Sequence, residues 1–158
     1  MHTIESMRST IIVALTLLVV GAGGTSHGEE SAFRGDIEKL TEQNSDFRHV
    51  LFTGRNVQVV AMSLRPGEEI GAEVHKVDQC FFFMKGTAQT IVGANTATLG
   101  RNGVLCVPAG TRHNIRNTGR EDLKLYTTYS PPQHPPGTVH HTKADAERTE
   151  AAPAPRQP

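Results

Sequence analysis

The sequence predicts an all-β sandwich or barrel built around one core. Short runs of β-favouring residues follow one another about ten residues apart, and no long segment with helical periodicity separates them. A chain of 158 residues is also short enough that a single domain with terminal extensions is expected. The predicted strands are 49–53, 56–64, 70–75, 78–85, 87–92, 96–99, 104–107, 113–117 and 123–129.

Turn-forming residues separate these strands, among them Pro66-Gly67 and Pro108-Ala-Gly110. Strands that follow one another in sequence are therefore expected to pair antiparallel. Two runs, 57–64 and 81–83, are apolar on both faces, which is typical of strands covered by a second sheet or by a partner subunit. We therefore predict a homodimer formed by sheet packing or strand exchange.

The first 24 residues are typical of a secretory signal peptide. A positively charged start that includes Arg8 precedes the apolar stretch 11–20, and the small residues 21–24 suit a signal peptidase. The apolar stretch is shorter than the roughly 18 to 20 residues that a membrane-spanning helix needs, which favours export over anchoring. The mature protein is expected to be periplasmic or secreted, without membrane attachment, and to begin between about residues 23 and 30.

The segments that flank the barrel are expected to contribute little structure. Residues 25–46 form a weakly structured lead-in, with one or two helical turns at 36–42. The barrel itself is predicted over residues 47–130.

A proline-rich arm, residues 131–143, follows the barrel and should be extended. It contains His134, His140 and His141, which we expect to pack over the barrel or a partner rather than to bind a metal. The tail, residues 144–158, is rich in Ala, Glu, Arg and Pro and has no apolar periodicity. It is therefore expected to be disordered apart from a frayed turn at 145–148.

The charge balance argues against polyanionic partners. Lys and Arg number 16, and Asp and Glu also number 16, so no basic field exists to hold nucleic acid or anionic lipid. The two cysteines, Cys80 and Cys106, cannot form a disulfide framework. Both lie in predicted strands and are interpreted first as small buried hydrophobic residues, although they can bridge in an oxidising compartment if they are neighbours.

Two predicted loops carry residues that could bind a metal. Glu73 and His75 are two positions apart on one strand, so their side chains project from the same face. A short turn brings Gln79 back on the next strand, and the loop after Pro108 delivers His113. Two imidazoles, one carboxylate and one amide oxygen suit a divalent transition metal such as Mn, Fe, Ni, Cu or Zn, with positions left for water or substrate.

The spacing of these residues resembles the two motifs of the cupin superfamily, G(x)5HxH(x)3-4E(x)6G and G(x)5PxGxxHxxxN. The first motif is matched at Gly67 and Gly86, with Glu73, His75 and Gln79 on its ligand positions. The second motif is matched after its first glycine, whose place Asn102 takes, at Pro108, Gly110, His113 and Asn117. The resemblance covers residues 47–143, and this region is similar to a subgroup of small single-domain bacterial cupins. It implies a double-stranded β-helix, or jelly-roll barrel.

The ligand set departs from the one that this resemblance implies. Cupins usually place His, His, Glu and His on the metal, whereas this chain offers Glu73, His75, Gln79 and His113. One carboxylate is kept but moves to the first position, and the neutral amide of Gln79 is a weaker ligand than a carboxylate. Each residue also has a purely structural interpretation, but together they fall on the family's ligand positions, which favours a metal site.

Other polar residues near these loops are weaker candidates. Asp78 should point away from Gln79 and serve as a turn or rim carboxylate. Arg112 and Arg116 are interpreted as surface residues, although they could meet an anionic substrate. Tyr126 and Tyr129 have opposite parity on one strand, so at most one of them faces the interior.

Two functions of different classes fit this pattern. The first is a metal-dependent enzyme of the dioxygenase or isomerase type that acts on a small oxygenated or sugar-like molecule. The alternative is a non-catalytic module, with or without a metal, that binds a sugar-like or phenolic ligand. An inert structural barrel is a third interpretation. Beyond the ligand set no general base stands out, and no organic cofactor is predicted, so catalytic residues stay unassigned.

Overall fold

A computed structural model of the chain describes residues 32–151. The predicted signal peptide, most of the lead-in before α1 and the last seven residues of the tail, 152–158, lie outside the described residues. The elements in chain order are α1 (Ile37–Gln43), β1 (Arg48–Thr53), β2 (Gln58–Leu64), β3 (Asp78–Lys85), β4 (Ala88–Val92), β5 (Asn95–Leu99), β6 (Val104–Val107), β7 (His113–Asn117), β8 (Leu123–Ser130), β9 (Val139–His140) and α2 (Lys143–Ala151).

The strands form two antiparallel sheets, which confirms the predicted all-β jelly roll. One sheet has the order β6-β3-β8-β2-β1-β9 and the other the order β5-β4-β7. Sequence-adjacent strands pair in β1–β2 and β4–β5, as predicted. For the central strands the prediction is wrong, because β8 lies between β2 and β3. A jelly roll wraps the chain around the barrel, so strands far apart in sequence become neighbours.

The predicted strand 70–75 is not a regular strand. Only Glu69 and Glu73 form isolated bridges, to Arg116 and His113 of β7. Between them Gly71 has a φ of 109°, which bends the backbone out of the strand conformation. The segment therefore follows the edge of the smaller sheet and ends at Glu73.

The core lies between the two sheets. On β3 the fully buried side chains alternate with half-buried ones, so that Phe81 and Phe83 point inward and Phe82 points outward. Phe82 stacks on Tyr126 of β8 with ring centroids 4.6 Å apart, whereas Tyr129 is buried. The opposite parity predicted for the two tyrosines is therefore confirmed.

The lead-in is more ordered than predicted. Asp36 caps α1 by accepting a hydrogen bond from the Lys39 backbone N–H (3.1 Å), and Thr41 is fully buried where the helix packs against β8. Arg101, from the loop after β5, forms ion pairs with Glu38 and Glu42. Contacts with the barrel stabilise a helix that is too short to persist on its own.

The arm, residues 131–143, folds back over the barrel. The buried amide of Gln58 donates to the His134 carbonyl oxygen (2.7 Å) and accepts from the His134 backbone N–H (3.0 Å). Further along, β9 pairs with β1 so that His140 lies opposite Arg48. The arm therefore packs over the barrel as predicted, and its polar backbone groups are held by a buried side chain.

The prediction of a disordered tail is wrong for residues 144–151, which belong to α2. Thr142 begins the helix by exchanging hydrogen bonds with Asp145, and Ala146 is buried in the core. Near its other end, Glu150 pairs with Arg48 at 2.7 Å. The sequence lacks apolar periodicity here because the helix buries little more than one small side chain. Across residues 32–151, no helix is long and apolar enough to cross a membrane.

Cys80 and Cys106 form a disulfide between β3 and β6. They are direct cross-strand partners, with Cα atoms 4.0 Å apart, on the outer face of the larger sheet. Cys80 is half-buried and Cys106 is exposed, so their interpretation as buried hydrophobic residues is wrong. Of the two alternatives left open by the sequence, the bridge is the one that the fold produces.

Candidate functional site

Glu73 and His113 are brought together by backbone pairing. Each donates its backbone N–H to the carbonyl oxygen of the other, at 2.9 and 3.0 Å. Such a pair places the two side chains beside each other on one face of the sheet. This one backbone pairing at the start of β7 therefore positions both side chains.

His75 lies on the same face as Glu73, as their spacing predicts. Its Nε2 is 2.9 Å from Glu73 Oε2, and its carbonyl oxygen accepts a hydrogen bond from the Gly110 backbone N–H at 2.8 Å. Asp78 accepts from the Ala109 backbone N–H at 2.9 Å, which confirms its predicted role as a turn carboxylate. These bonds fix the loop over 108–110 and hence the start of the strand that carries His113.

Gln79 reaches His113 from the larger sheet. Its Nε2 donates to Thr127 Oγ1 at 3.2 Å, and its Oε1 lies 3.0 Å from His113 Nε2. The other ring nitrogen, Nδ1, is 2.9 Å from the Thr111 carbonyl oxygen, which can only accept, so Nδ1 carries a proton. In the neutral ring, Nε2 then directs a lone pair at the Gln79 oxygen. A bound cation, a proton on Nε2 or the reversed orientation of the Gln79 amide would each pair these two atoms.

Three of the predicted ligands therefore lie together and the fourth, Gln79, contacts His113, and this donor set fits a divalent transition metal. The donor atoms of Glu73, His75 and His113 all lie within 4.8 Å of one another. The Glu73–His75 and His113–Gln79 separations, 2.9 and 3.0 Å, are close to the ~3 Å between neighbouring ligands bound at about 2.1 Å. Mixed nitrogen and oxygen donors of this kind suit Mn, Fe, Ni, Cu or Zn.

Arg48 is a residue of this site that sequence reasoning missed. Its side chain is 3% exposed, and its Nη2 lies 3.9 Å from Glu73 Oε1. The sequence marks Arg48 only as a polar residue before an apolar strand, and its burial comes from the arm and α2 folding over it. A lone arginine at the start of β1 gives no signal of this in the sequence.

A cavity of about 500 Å³, here called the mouth cavity, opens beside two of the candidate ligands, Glu73 and His75. Its walls include Arg48, Glu73 and His75 from the barrel, His134 and His140 from the arm, and Glu150 from α2. The volume is within the range that small-molecule sites occupy.

The two arm histidines of the mouth cavity, His134 and His140, are neutral at neutral pH. Burial, together with the positive charge of Arg48, lowers the pKa of His134 to about 3. The same two causes lower the pKa of His140. Burial and then the negative charge of Glu73 raise the pKa of Tyr129, so its hydroxyl stays protonated.

The remaining candidates lie away from the mouth cavity. Arg116 is exposed and pairs with Glu69 at 3.1 Å, and Arg112 is an exposed residue of the loop before β7. His141 is exposed and pairs with Asp46 at 2.6 Å. None of these three residues lines the mouth cavity.

Comparison with known proteins assigns the family. A family model of the cupin domain matches residues 60–129, which include the four ligand positions. The solved structure of BH2720 from Bacillus halodurans superposes with a TM-score of 0.74 and 42% identity, covering 77% of this chain and 97% of that one. The chain belongs to the cupin superfamily.

Two curated relatives of this cupin have no assigned activity in their names. The uncharacterized protein YrkC of Bacillus subtilis is 47% identical over 122 residues, which are 73% of this chain and 66% of that protein. The uncharacterized protein L612 of Acanthamoeba polyphaga mimivirus is 41% identical over 109 residues, 66% of this chain and 68% of that protein. The cupin region is shared, and the function has to be argued from the site.

In this cupin the asparagine at the first glycine position of the second motif has a structural explanation. Asn102 has a φ of 64°, in the left-handed region that glycine adopts at no steric cost. Asparagine is one of the few other residues that enter this region readily. The turn before β6 is therefore kept without the glycine.

Proposed function

We propose that this cupin binds a divalent transition metal through Glu73, His75, Gln79 and His113, and that it is a metal-dependent enzyme of the dioxygenase or isomerase type. The observation that carries the proposal is the cluster of Glu73, His75 and His113, whose donor atoms lie within 4.8 Å of one another, with Gln79 Oε1 3.0 Å from His113 Nε2. When present, the ion would supply Lewis-acid or redox chemistry.

The protein's own residues would bind and orient the substrate. One carboxylate and two imidazoles place their donor atoms within 4.8 Å of one another, and Glu73 and His75 also line the mouth cavity. Such a facial set leaves positions open for a chelating substrate. The substrate we propose is a small oxygenated or sugar-like molecule that enters through the mouth cavity.

Metal content tests this proposal directly. Protein purified without chelators should contain close to one equivalent of Mn, Fe, Ni, Cu or Zn by elemental analysis. Replacing both His75 and His113 by Ala should abolish binding, whereas His141→Ala, an exposed histidine outside the site, should leave it unchanged. Metal that persists in the double variant would overturn the ligand assignment. Oxygen uptake and isomerisation of small hydroxy compounds by the loaded protein would then separate the two enzyme classes.

Gln79→Glu should strengthen metal binding. The substitution restores a second carboxylate at the position where cupins usually have one, and ligand charge raises affinity for divalent ions. We expect the dissociation constant for Zn or Mn to fall by about tenfold or more, measured by competition with a chromogenic chelator. A weaker affinity in Gln79→Glu than in the wild type would contradict the role assigned to Gln79.

A non-catalytic binding module is the second candidate. It is favoured by the same Gln79–His113 contact, because a proton on His113 Nε2 would satisfy both groups without a metal. Absence of metal after loading, combined with ligand binding, would favour this function over the enzyme.

We also propose that the protein is exported and acts as a homodimer. Export is supported by the signal-like residues 1–24 and by a partly exposed disulfide, since such bonds persist in oxidising compartments. The dimer is supported by the outer face of the larger sheet, where Val104 is 54% exposed close to the Phe82–Tyr126 stack.

A further inference from the structure

Three buried nitrogen atoms in the described part of the chain have no hydrogen-bond partner, and they belong to residues that line the same cavity. They are Arg48 Nε, His134 Nε2 and His140 Nδ1, and all three residues border the mouth cavity. Buried polar groups are normally paired, since an unpaired one costs about 1 to 3 kcal/mol. Because each of these atoms is buried, a ligand in the cavity can reach one only if a neighbouring group, such as the Glu150 carboxylate on Arg48, moves aside.

Arg48 determines what kind of group this ligand carries. Its side chain is 3% exposed, and the Nε–H is always a donor. The histidines beside it are neutral, because burial and Arg48 itself lower their pKa values. Outside the metal ligands the cavity therefore holds the positive charge of Arg48 and the negative charge of Glu150, which is paired with it. With Glu150 displaced, the remaining positive charge matches a monoanion with acceptor oxygens.

Glu150 already occupies part of this position. Its Oε1 accepts from Arg48 Nη1 at 2.7 Å, although its side chain is 55% exposed. A carboxylate in the last turn of a helix is opposed by the helix dipole, so α2 gains no stability from Glu150 at that place. The position of Glu150 is best explained by its contact with Arg48, where its carboxylate occupies the place that the carboxylate of a bound ligand would take.

We propose that the mouth cavity binds a small molecule through a carboxylate, that Arg48 recognises this group, and that Glu150 is a built-in competitor that the ligand displaces. The inference rests on the proposed function in one respect, because it places the remainder of the ligand beside Glu73 and His75. It adds a substrate class, an oxygenated carboxylic acid, and a recognition residue outside the four metal ligands. Displacing Glu150 costs little, since half of its side chain is already in solvent.

Matched pairs of small molecules test the charge preference. Calorimetric titrations would compare D-glucuronate with D-glucose, and benzoate with benzyl alcohol, on metal-loaded protein and on protein stripped with 1,10-phenanthroline. The chelator must lack carboxylates, because the proposed site would bind a carboxylate-containing chelator. At least one acid should bind about tenfold or more tightly than its neutral counterpart. Equal affinities in both pairs would overturn the proposal.

Variants of the two charged residues test the assignment. Arg48→Met should weaken binding of the preferred acid by about 10- to 100-fold while leaving its neutral counterpart unchanged. Arg116→Met, which breaks an ion pair outside the cavity, should change neither. Arg48→Lys keeps the charge and should retain part of the affinity, which covers the case in which the methionine variant does not fold.

Glu150→Gln provides an effect of the opposite sign. Removing the competing carboxylate should tighten binding of the acid by about two- to fivefold, the range expected for an exposed ion pair. Glu147→Gln, on the same helix but outside the cavity, should have no such effect. Weaker binding in Glu150→Gln would show that Glu150 is a wall of the site and not a competitor.

The two proposals fail in different ways. If the protein takes up no metal after incubation with it but still prefers the acid, the metal-dependent function fails while Arg48 keeps its role. If metal binds stoichiometrically but neither acid is preferred, the metal site stands and the carboxylate site falls.

Discussion

Glu73→Gln should abolish stoichiometric metal binding without unfolding the barrel. Glu73 supplies the only carboxylate among the four proposed ligands, and the substitution leaves two imidazoles and two neutral amides for a dication. Loss of an outer partner of a ligand alone typically costs 10- to 100-fold in metal affinity, so loss of this ligand should cost about 100-fold or more. Elemental analysis after dialysis against a weak chelator would measure the effect.

Glu69→Gln is the matched control. Glu69 lies on the same segment and also bridges to β7, but its carboxylate pairs with Arg116 away from the cavity. Both variants should keep their metal-free free energy of unfolding within about 1 kcal/mol of the wild type. Wild-type metal content in Glu73→Gln, or equal losses in the two variants, would refute the assignment of Glu73 as a ligand.

Removing the disulfide should cost more stability than any change at the site. The bond joins residues 26 positions apart, and closing a loop of that length in the unfolded chain is worth about 3 kcal/mol. The double variant Cys80→Ser with Cys106→Ser should therefore unfold at a lower urea concentration, by an amount equivalent to about 3 kcal/mol. The side chains lie on the outer face, so serine can replace cysteine without burying a hydroxyl group.

A reducing agent supplies the internal check. It should lower the stability of the wild type to that of the double variant and leave the double variant unchanged. If the wild type in dithiothreitol is as stable as without it, the bond contributes nothing to stability and the expected 3 kcal/mol is wrong.

The sequence predicted most barrel strands and the proximity of the four candidate ligands because both depend on short-range spacing. Alternation within β3 predicts which residues point inward, and the ligands lie on motifs in which a few positions fix the geometry. Glu73 and His75 needed only the two-residue repeat of an extended chain to be placed on one face.

The parts that could not be predicted depend on contacts between distant segments. Helix α2 has almost no apolar face, and its place is set by Ala146 in the core and by the Arg48–Glu150 pair. The burial of Arg48 likewise requires the arm to fold back across β1. The sequence pattern around each of these residues is that of a solvated chain, and only the fold brings them together.

The position of β8 has a consequence for how the chain folds. β8 lies in the larger sheet between β2 and β3, yet it follows every other long strand in the described part of the chain. Until residues 123–130 have been made, neither β2 nor β3 has its long central partner, so the larger sheet cannot be completed. Pairings of this sequence separation place folding in the range of milliseconds to seconds.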